Sequence, residues 1–398
     1  MQALTPETAP SDSRYHGLDN LRALMMWLGV VLHGVMVYSQ ARTAVPLRDD
    51  QHSLVADLLV AFIHAFRMPV FFIVAGLLAA MLLQRRGVRQ FLRHRMLRLA
   101  LPFAVFWPFL WMATGLVVLA FLNRTAFGRW GLDMAAIPLG TPTGPSTVHL
   151  WFLWMLIWFC WATALLSRLP RAPLSVAGAW LARLGTAWWG VLVLMLPLVL
   201  AGHGYPQGLL IASGAFWLPW NEWLHNGVFF AFGVALWAHR TQLLPHYQKH
   251  WARYALAGLP LFMAFGPLFH AGVHWTLTAA CYNALAWLWS FAWIGFALRV
   301  LSARHAVLAY LADSAYWVYL MHLPLAIGIS SLLYQQGMPA LAKMAVNIAG
   351  TTVLCLLSYQ LFVRHTWVGV LLNGRRGPAL QPEASVHQPM VNRTHNPL

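Results

Sequence analysis

An arginine and a histidine stand eleven residues apart in the first apolar stretch of the chain, Arg22 and His33. Eleven residues are close to three turns of an α-helix, so the two side chains share a face, roughly 16 Å apart along the axis. Met26 and Gly29 lie between them on the same stripe, and Gly29 leaves room for something to approach. A charge inside a membrane span costs about 2.5–3.5 kcal/mol on insertion scales, so each one marks a functional site unless a bland role explains it. For Arg22 the bland role is snorkelling to the headgroups, and for His33 a bond to a neighbouring helix. A second pair, His64 and Arg67, sits before Pro69 in Phe62-Ile63-His64-Ala65-Phe66-Arg67-Met68-Pro69. At mid-depth Arg67 wants an anion: Asp19, Glu222, Asp313 or an anionic substrate. Pro69 would kink the helix there. Tyr319 and His322, three apart, share a face of a later span, and His149 opens another, as a site residue or as an interfacial anchor. Arg95 and Arg98, also three apart, enter the third span with Arg93 nearby. Such a cluster suits the phosphates of a nucleotide-like donor, or serves as a positive-inside signal alone.

The elements that position these groups follow from composition. Of 398 residues, 60% are hydrophobic and 9% charged, against about 25% charged in soluble domains. Lipid is the solvent this composition fits. The net charge of +16 is dispersed along one membrane boundary, which excludes a nucleic-acid role. Cys160, Cys281 and Cys355 all fall in apolar runs, which argues against disulfides and against a zinc site. The first 17 residues are polar, with no cleavable signal peptide. The expected fold is all-α and polytopic, with ten spans near 18–40, 56–83, 97–121, 148–168, 177–200, 222–240, 252–269, 275–299, 310–332 and 341–364. A helical pair or re-entrant turn could fill 202–220. With the N-terminus inside, 19 of the 26 Lys and Arg fall on the cytoplasmic side and 5 outside, so both termini are expected in the cytoplasm. The expected division is a cytoplasmic segment 1–17, a transmembrane domain 18–366 and a disordered cytoplasmic tail 367–398, with no internal repeat.

These residues resemble a known family, the acyltransferase-3 membrane proteins. The resemblance rests on Leu18-Asp19-Asn20-Leu21-Arg22 through His33, the Arg-x10-His pattern. It rests also on Phe62-Ile63-His64-Ala65-Phe66-Arg67-Met68-Pro69-Val70-Phe71-Phe72, on His149-Leu150-Trp151-Phe152-Leu153 and on Tyr319-Leu320-Met321-His322-Leu323-Pro324. The second string looks like the branch that succinylates osmoregulated periplasmic glucans, although Leu323 stands where that branch has a second His.

The resemblance implies a membrane O-acyltransferase of the bacterial inner membrane. Its donor would be acyl-CoA from the cytoplasm, succinyl-CoA or acetyl-CoA, and its acceptor a hydroxyl of a periplasmic glucan or other glycan. No metal is implied; a homo-oligomer or an association with glucan-synthesis machinery is possible. Acyl transfer from a thioester needs a base, an oxyanion donor and a held CoA. On this reading His33 is the base, or in a variant carries the acyl group. Arg67 polarises the thioester or pairs with a succinyl carboxylate, and His322 lines the catalytic site. Arg22, Arg93, Arg95 and Arg98 would hold the CoA, while Asp19, His64, His149, Trp151 and Tyr319 would contact substrate, Asp19 by fixing Arg22. Two other readings use the same residues: a proton-coupled transporter, and a flippase or assembly partner without chemistry.

Overall fold

The computed structural model describes residues 16–40, 47–141, 143–217, 219–303 and 306–374. The segment before residue 16 and the tail beyond 374, read above as cytoplasmic, lie outside the described residues. Thirteen α-helices follow in order: α1 (His16–Val35), α2 (Leu54–Arg95), α3 (Leu101–Phe127), α4 (Trp151–Leu166), α5 (Arg171–Thr186), α6 (Gly190–Leu194), α7 (Leu196–Ala201), α8 (Trp220–Ala238), α9 (Arg240–His270), α10 (Trp275–Val300), α11 (Ala306–Leu333), α12 (Ala340–Phe362) and α13 (Trp367–Asn373). Among the described residues there is no strand, as lipid demands of backbone groups that must bond within their own segment. The helix α13 occupies the start of the stretch expected to be a disordered tail.

Seven helical segments are long and apolar enough to cross a membrane, against the ten expected from the sequence. One of them, Leu54–Phe127, has 74 residues. At 1.5 Å per residue it runs about 110 Å, enough to cross a hydrocarbon core of ~30 Å twice. Two features divide it: Gly87, at φ 70 and ψ 169, and a π-helical turn at Met96–Ala100. The backbone leaves helical geometry at Gly87 rather than at Pro69, which sits inside α2. Two expected spans fall short. The stretch 177–200 breaks at Ala187, whose ψ of 137 is extended, and resumes as helices of 5 and 6 residues. The stretch 222–240 is α8, whose first turns carry Asn221, Glu222, His225 and Asn226. Between them, 202–217 is irregular save for a short turn at Pro206–Gly208.

The helix α1 lies at the centre, packed by α11, α2, α10 and α12. Helices in lipid gain little from burying apolar area against one another, so close approach of small residues drives their packing. Where α2 meets α8, Gly76 lies against the Phe230 carbonyl and Gly233 against the Ile73 carbonyl; any side chain there would hold the two backbones apart. At the far end of α1 a buried ion cluster ties the loop to α12. The Lys343 ammonium donates to Asp49 Oδ1 at 2.7 Å and Asp50 Oδ1 at 2.8 Å, with Lys343 and Asp49 fully inaccessible. Removing one member of a buried pair strands the other charge, at about 3–5 kcal/mol. Lys343→Met is therefore expected to lower the thermal midpoint in detergent sharply, and adding Asp49→Asn to restore part of the loss. An unchanged midpoint would contradict this role.

Candidate active site

Four elements bring polar side chains to one place beside α1. The helix itself supplies His33, half-buried. From α11 comes His322, 2% exposed, its ring centroid 5.2 Å from that of His33. A short 3-10 turn, Val148–Leu150, presents His149, whose ring lies 5.3 Å from His322. The fourth element, α2, contributes Arg67. A Cβ placed on Gly29 would lie 2.7 Å from an Arg67 terminal nitrogen and 3.5 Å from His322 Nε2. The guanidinium thus occupies the space the missing side chain leaves, one turn below His33, next to His322.

Hydrogen bonds set the tautomers of two rings. His322 Nδ1 faces the carbonyls of Val318 at 3.0 Å and Tyr319 at 2.8 Å. Carbonyls only accept, so Nδ1 carries the proton and Nε2 keeps a lone pair. That Nε2 is buried and has no partner. In the same way His149 Nε2 donates to the Leu320 carbonyl at 3.0 Å, leaving an unpartnered lone pair on Nδ1. A buried polar atom without a partner costs free energy, and two of them on rings 5.3 Å apart mark a place built for a ligand. The turn carrying His149 is itself strained. Val148 sits at φ 51, a left-handed conformation that a β-branched residue rarely adopts. Thr147 holds it, with its amide and hydroxyl both donating to the Gly214 carbonyl.

Arg67 is the other unmatched group. Its Nε has no partner, and a terminal nitrogen reaches Met68 Sδ at 3.9 Å. Of the carboxylates proposed for it, Asp19 lies 3.9 Å from Arg22, and Glu222 accepts from the Ser213 amide at 2.9 Å. No carboxylate of the described residues pairs with Arg67. Gly29→Ala is expected to push the guanidinium aside, and a displacement of about 1 Å at a reacting centre costs on the order of a hundredfold in rate. A wild-type transfer rate in that variant would show that the position of Arg67 is irrelevant.

The remaining residues singled out in the sequence separate into groups. His64 lies near His33 and Arg67, and its Nδ1 donates to the Val60 carbonyl at 3.2 Å. Tyr319 does not present its hydroxyl to the opening; it donates to the His149 carbonyl at 2.9 Å and fastens that turn to α11. Trp151 packs in the core, 6.3 Å from Phe72, and none of its ring contacts is with the three histidines. At the other end of the α1 stripe, Arg22 is half-exposed with Asp19 beside it. Arg95 comes close enough to Arg22 for the two cations to repel, and its Nε has no partner. Arg98 is turned to α13, donating to the Leu371 carbonyl at 3.3 Å, while Arg93 is exposed. Sequence spacing placed three arginines together, but the structure brings Arg95 toward Arg22 and sends the other two elsewhere. The buried Lys343–Asp49–Asp50 cluster went unnoticed in the sequence because its members are nearly 300 residues apart. Among the described residues, no three His, Cys, Asp or Glu side chains are arranged to hold a metal.

One side of the bundle thus offers two cations at a boundary, and the interior offers imidazoles and a guanidinium about three helical turns away. Comparison with known proteins bears on what such an arrangement does. The chain is similar to glucans biosynthesis protein C of Escherichia coli (strain K12), at 31% identity over 144 residues. The same identity and length are found against that of Escherichia coli (strain SMS-3-5 / SECEC). Each match spans 36% of this chain and 36% of the relative's own length. No solved structure matches. The acyltransferase-3 family model, described as an acyltransferase domain, matches residues 15–360, a stretch that contains every residue of the site, and the chain belongs to that family of membrane acyltransferases.

Proposed function

We propose that this protein transfers a succinyl group from cytoplasmic succinyl-CoA to hydroxyls of a glucan on the far side of a bacterial inner membrane. The observation that carries the reading is the Arg67 guanidinium, held beside His322 without a carboxylate of its own. A buried cation needs an anion, and the free carboxylate of a succinyl group is one that the donor brings with it. The partial likeness to glucans biosynthesis protein C supports the glucan as acceptor.

In this account the CoA phosphates meet Arg22 and Arg95, with Asp19 holding Arg22. Arg93 and Arg98 add positive charge at the same boundary. The pantetheine arm then follows the α1 stripe for roughly 16 Å and sets the thioester at His33. His33, the more open of the facing imidazoles, takes the proton of the sugar hydroxyl as the oxygen attacks the thioester carbonyl. The tetrahedral intermediate collapses, the carbon–sulfur bond breaks, and the proton on His33 passes to the departing thiolate. Ester and free thiol are formed and the base is restored. The lone pair of His322 Nε2 supports His33 from 5.2 Å away between ring centres, and His149 and His64 line the approach of the acceptor. The basic asymmetry of the loops supports cytoplasmic termini, which puts Arg22 and Arg95 on the side where CoA is made.

The test offers succinyl-CoA and acetyl-CoA in parallel to the purified protein with a soluble glucan, and scores free CoA and the mass of the glycan. Succinylated glycan is expected. Acetylated glycan alone would assign the protein to acetyl transfer and leave Arg67 as a donor to the oxyanion. A proton-coupled transporter is the second reading, since buried His and Arg also build proton relays; it predicts no thiol release with either donor.

A further inference from the structure

A groove on the outer wall of the bundle takes no part in this chemistry. It is a cavity of about 380 Å³ between the last turns of α3 and α11, lined among others by Leu116, Val117, Trp130, Leu132, Gly328 and Ser331. At Gly328 the groove has room to spare, since a Cβ there would only touch Val117 at 3.7 Å. The loop that closes it is fixed rather than draped. Buried Asn123 donates to the Asp133 carbonyl at 2.9 Å and accepts from the Asp133 amide at 3.1 Å, which holds Trp130 and Leu132 as a wall. Arg124 sits at the lip. Its guanidinium lies 4.7 Å from the Trp130 ring and donates to the Tyr334 carbonyl at 2.9 Å, while no carboxylate of the described residues pairs with it. Arg129 is exposed one turn further on. Inside, the Ser331 hydroxyl is 1% exposed and without a partner.

We infer that this groove binds a phospholipid, with one acyl chain between α3 and α11 and the phosphate at Arg124. The walls are apolar, as a chain requires. An arginine at the lip that has no carboxylate partner among the described residues complements a phosphate with charge-assisted hydrogen bonds. Trp130 belongs to the class of side chain that collects at headgroup depth. A lipid there braces α11 some 9 Å beyond His322 by helical rise, so it would steady the catalytic helix without touching substrate.

The experiment uses the full chain in nanodiscs with a phospholipid bearing a photoactivatable group on one acyl chain, followed by mapping of labelled peptides. Label is expected on 116–120 and 328–332 in excess over α9, whose Leu256 and Met263 are also open to lipid. Arg124→Gln should reduce that excess about tenfold, the worth of one charge-assisted hydrogen bond, while Gly328→Phe should abolish it by filling the groove. A diacylglycerol probe with the same chain should label the groove no more than it labels α9. Equal labelling of groove and α9 by the phospholipid would reduce the groove to ordinary lipid contact and overturn the proposal. Undiminished labelling in Arg124→Gln, or equal labelling by the diacylglycerol, would overturn the phosphate at Arg124. Because the readout is label rather than transfer, it stands or falls apart from the succinyl assignment.

Discussion

His33→Ala is expected to abolish acyl transfer while leaving the folded protein intact. A general base contributes about 10²–10⁴ in rate, and of the facing imidazoles His33, His149 and His322 it is His33 that is the most open. His322 is buried and its Nδ1 is committed to two carbonyls; His149 is tied to Leu320. His33 is half-buried and, among the described residues, makes its ring contact with His322, so its loss should empty a small polar space without breaking the packing of α1 on α11. The readout is thiol release from donor at saturating acceptor, with size-exclusion behaviour and thermal midpoint as controls for folding. His322→Ala should fall by a comparable factor, and the double variant little further, because residues that act as a unit are not additive. Wild-type turnover in His33→Ala would remove it from the mechanism; a double variant slower by the product of the two single effects would show that the rings work separately.

Arg67→Gln carries the second large effect. Deleting one partner of a buried hydrogen-bonded charge pair costs about 2–5 kcal/mol, which is roughly a 30- to several-thousand-fold loss. If the partner is a succinyl carboxylate, that loss appears in kcat/KM for succinyl-CoA and is much smaller for acetyl-CoA, which has no carboxylate to strand. Arg67→Lys should recover little, because an ammonium cannot offer the planar fork of a guanidinium. Equal losses with the two donors would place Arg67 at the oxyanion instead. No loss with either would leave it a structural cation.

Much of this site could be read from residue types and helical arithmetic. The eleven-residue interval between Arg22 and His33 put both on one stripe of α1, and Gly29 on that stripe marked where another group could enter. Which group entered was not legible, because it depends on how α2 crosses α1; of the three carboxylates a sequence argument offers for Arg67, Asp19 and Glu222 turn out to be engaged by Arg22 and Ser213, and Asp313 is not paired with it either. Spacing also grouped Arg95 with Arg98, but Arg98 lies within the π-turn Met96–Ala100 and donates to the Leu371 carbonyl. Hydropathy found the apolar stretches and missed their breaks. The run 177–200 is apolar enough to look like a span, yet the chain turns extended at Ala187, and the composition of a window says nothing of where a backbone bends. The stretch 222–240 does form a helix, α8, but its polar first turns keep it out of the apolar spans. The tautomers of His322 and His149 depend on carbonyls of α11, which exist as partners only once the helices have packed.

The claim at the centre of this account is that chemistry, not passage of a solute, happens where His33, His322 and Arg67 meet. Sealed proteoliposomes with the protein in one orientation test it, with succinyl-CoA supplied at the Arg22–Arg95 face and glucan confined to the other. The account predicts free thiol on the donor side, succinylated glucan on the acceptor side, and neither with His33→Ala. Intact donor on both sides, together with movement of glucan or another solute across the bilayer, would contradict it.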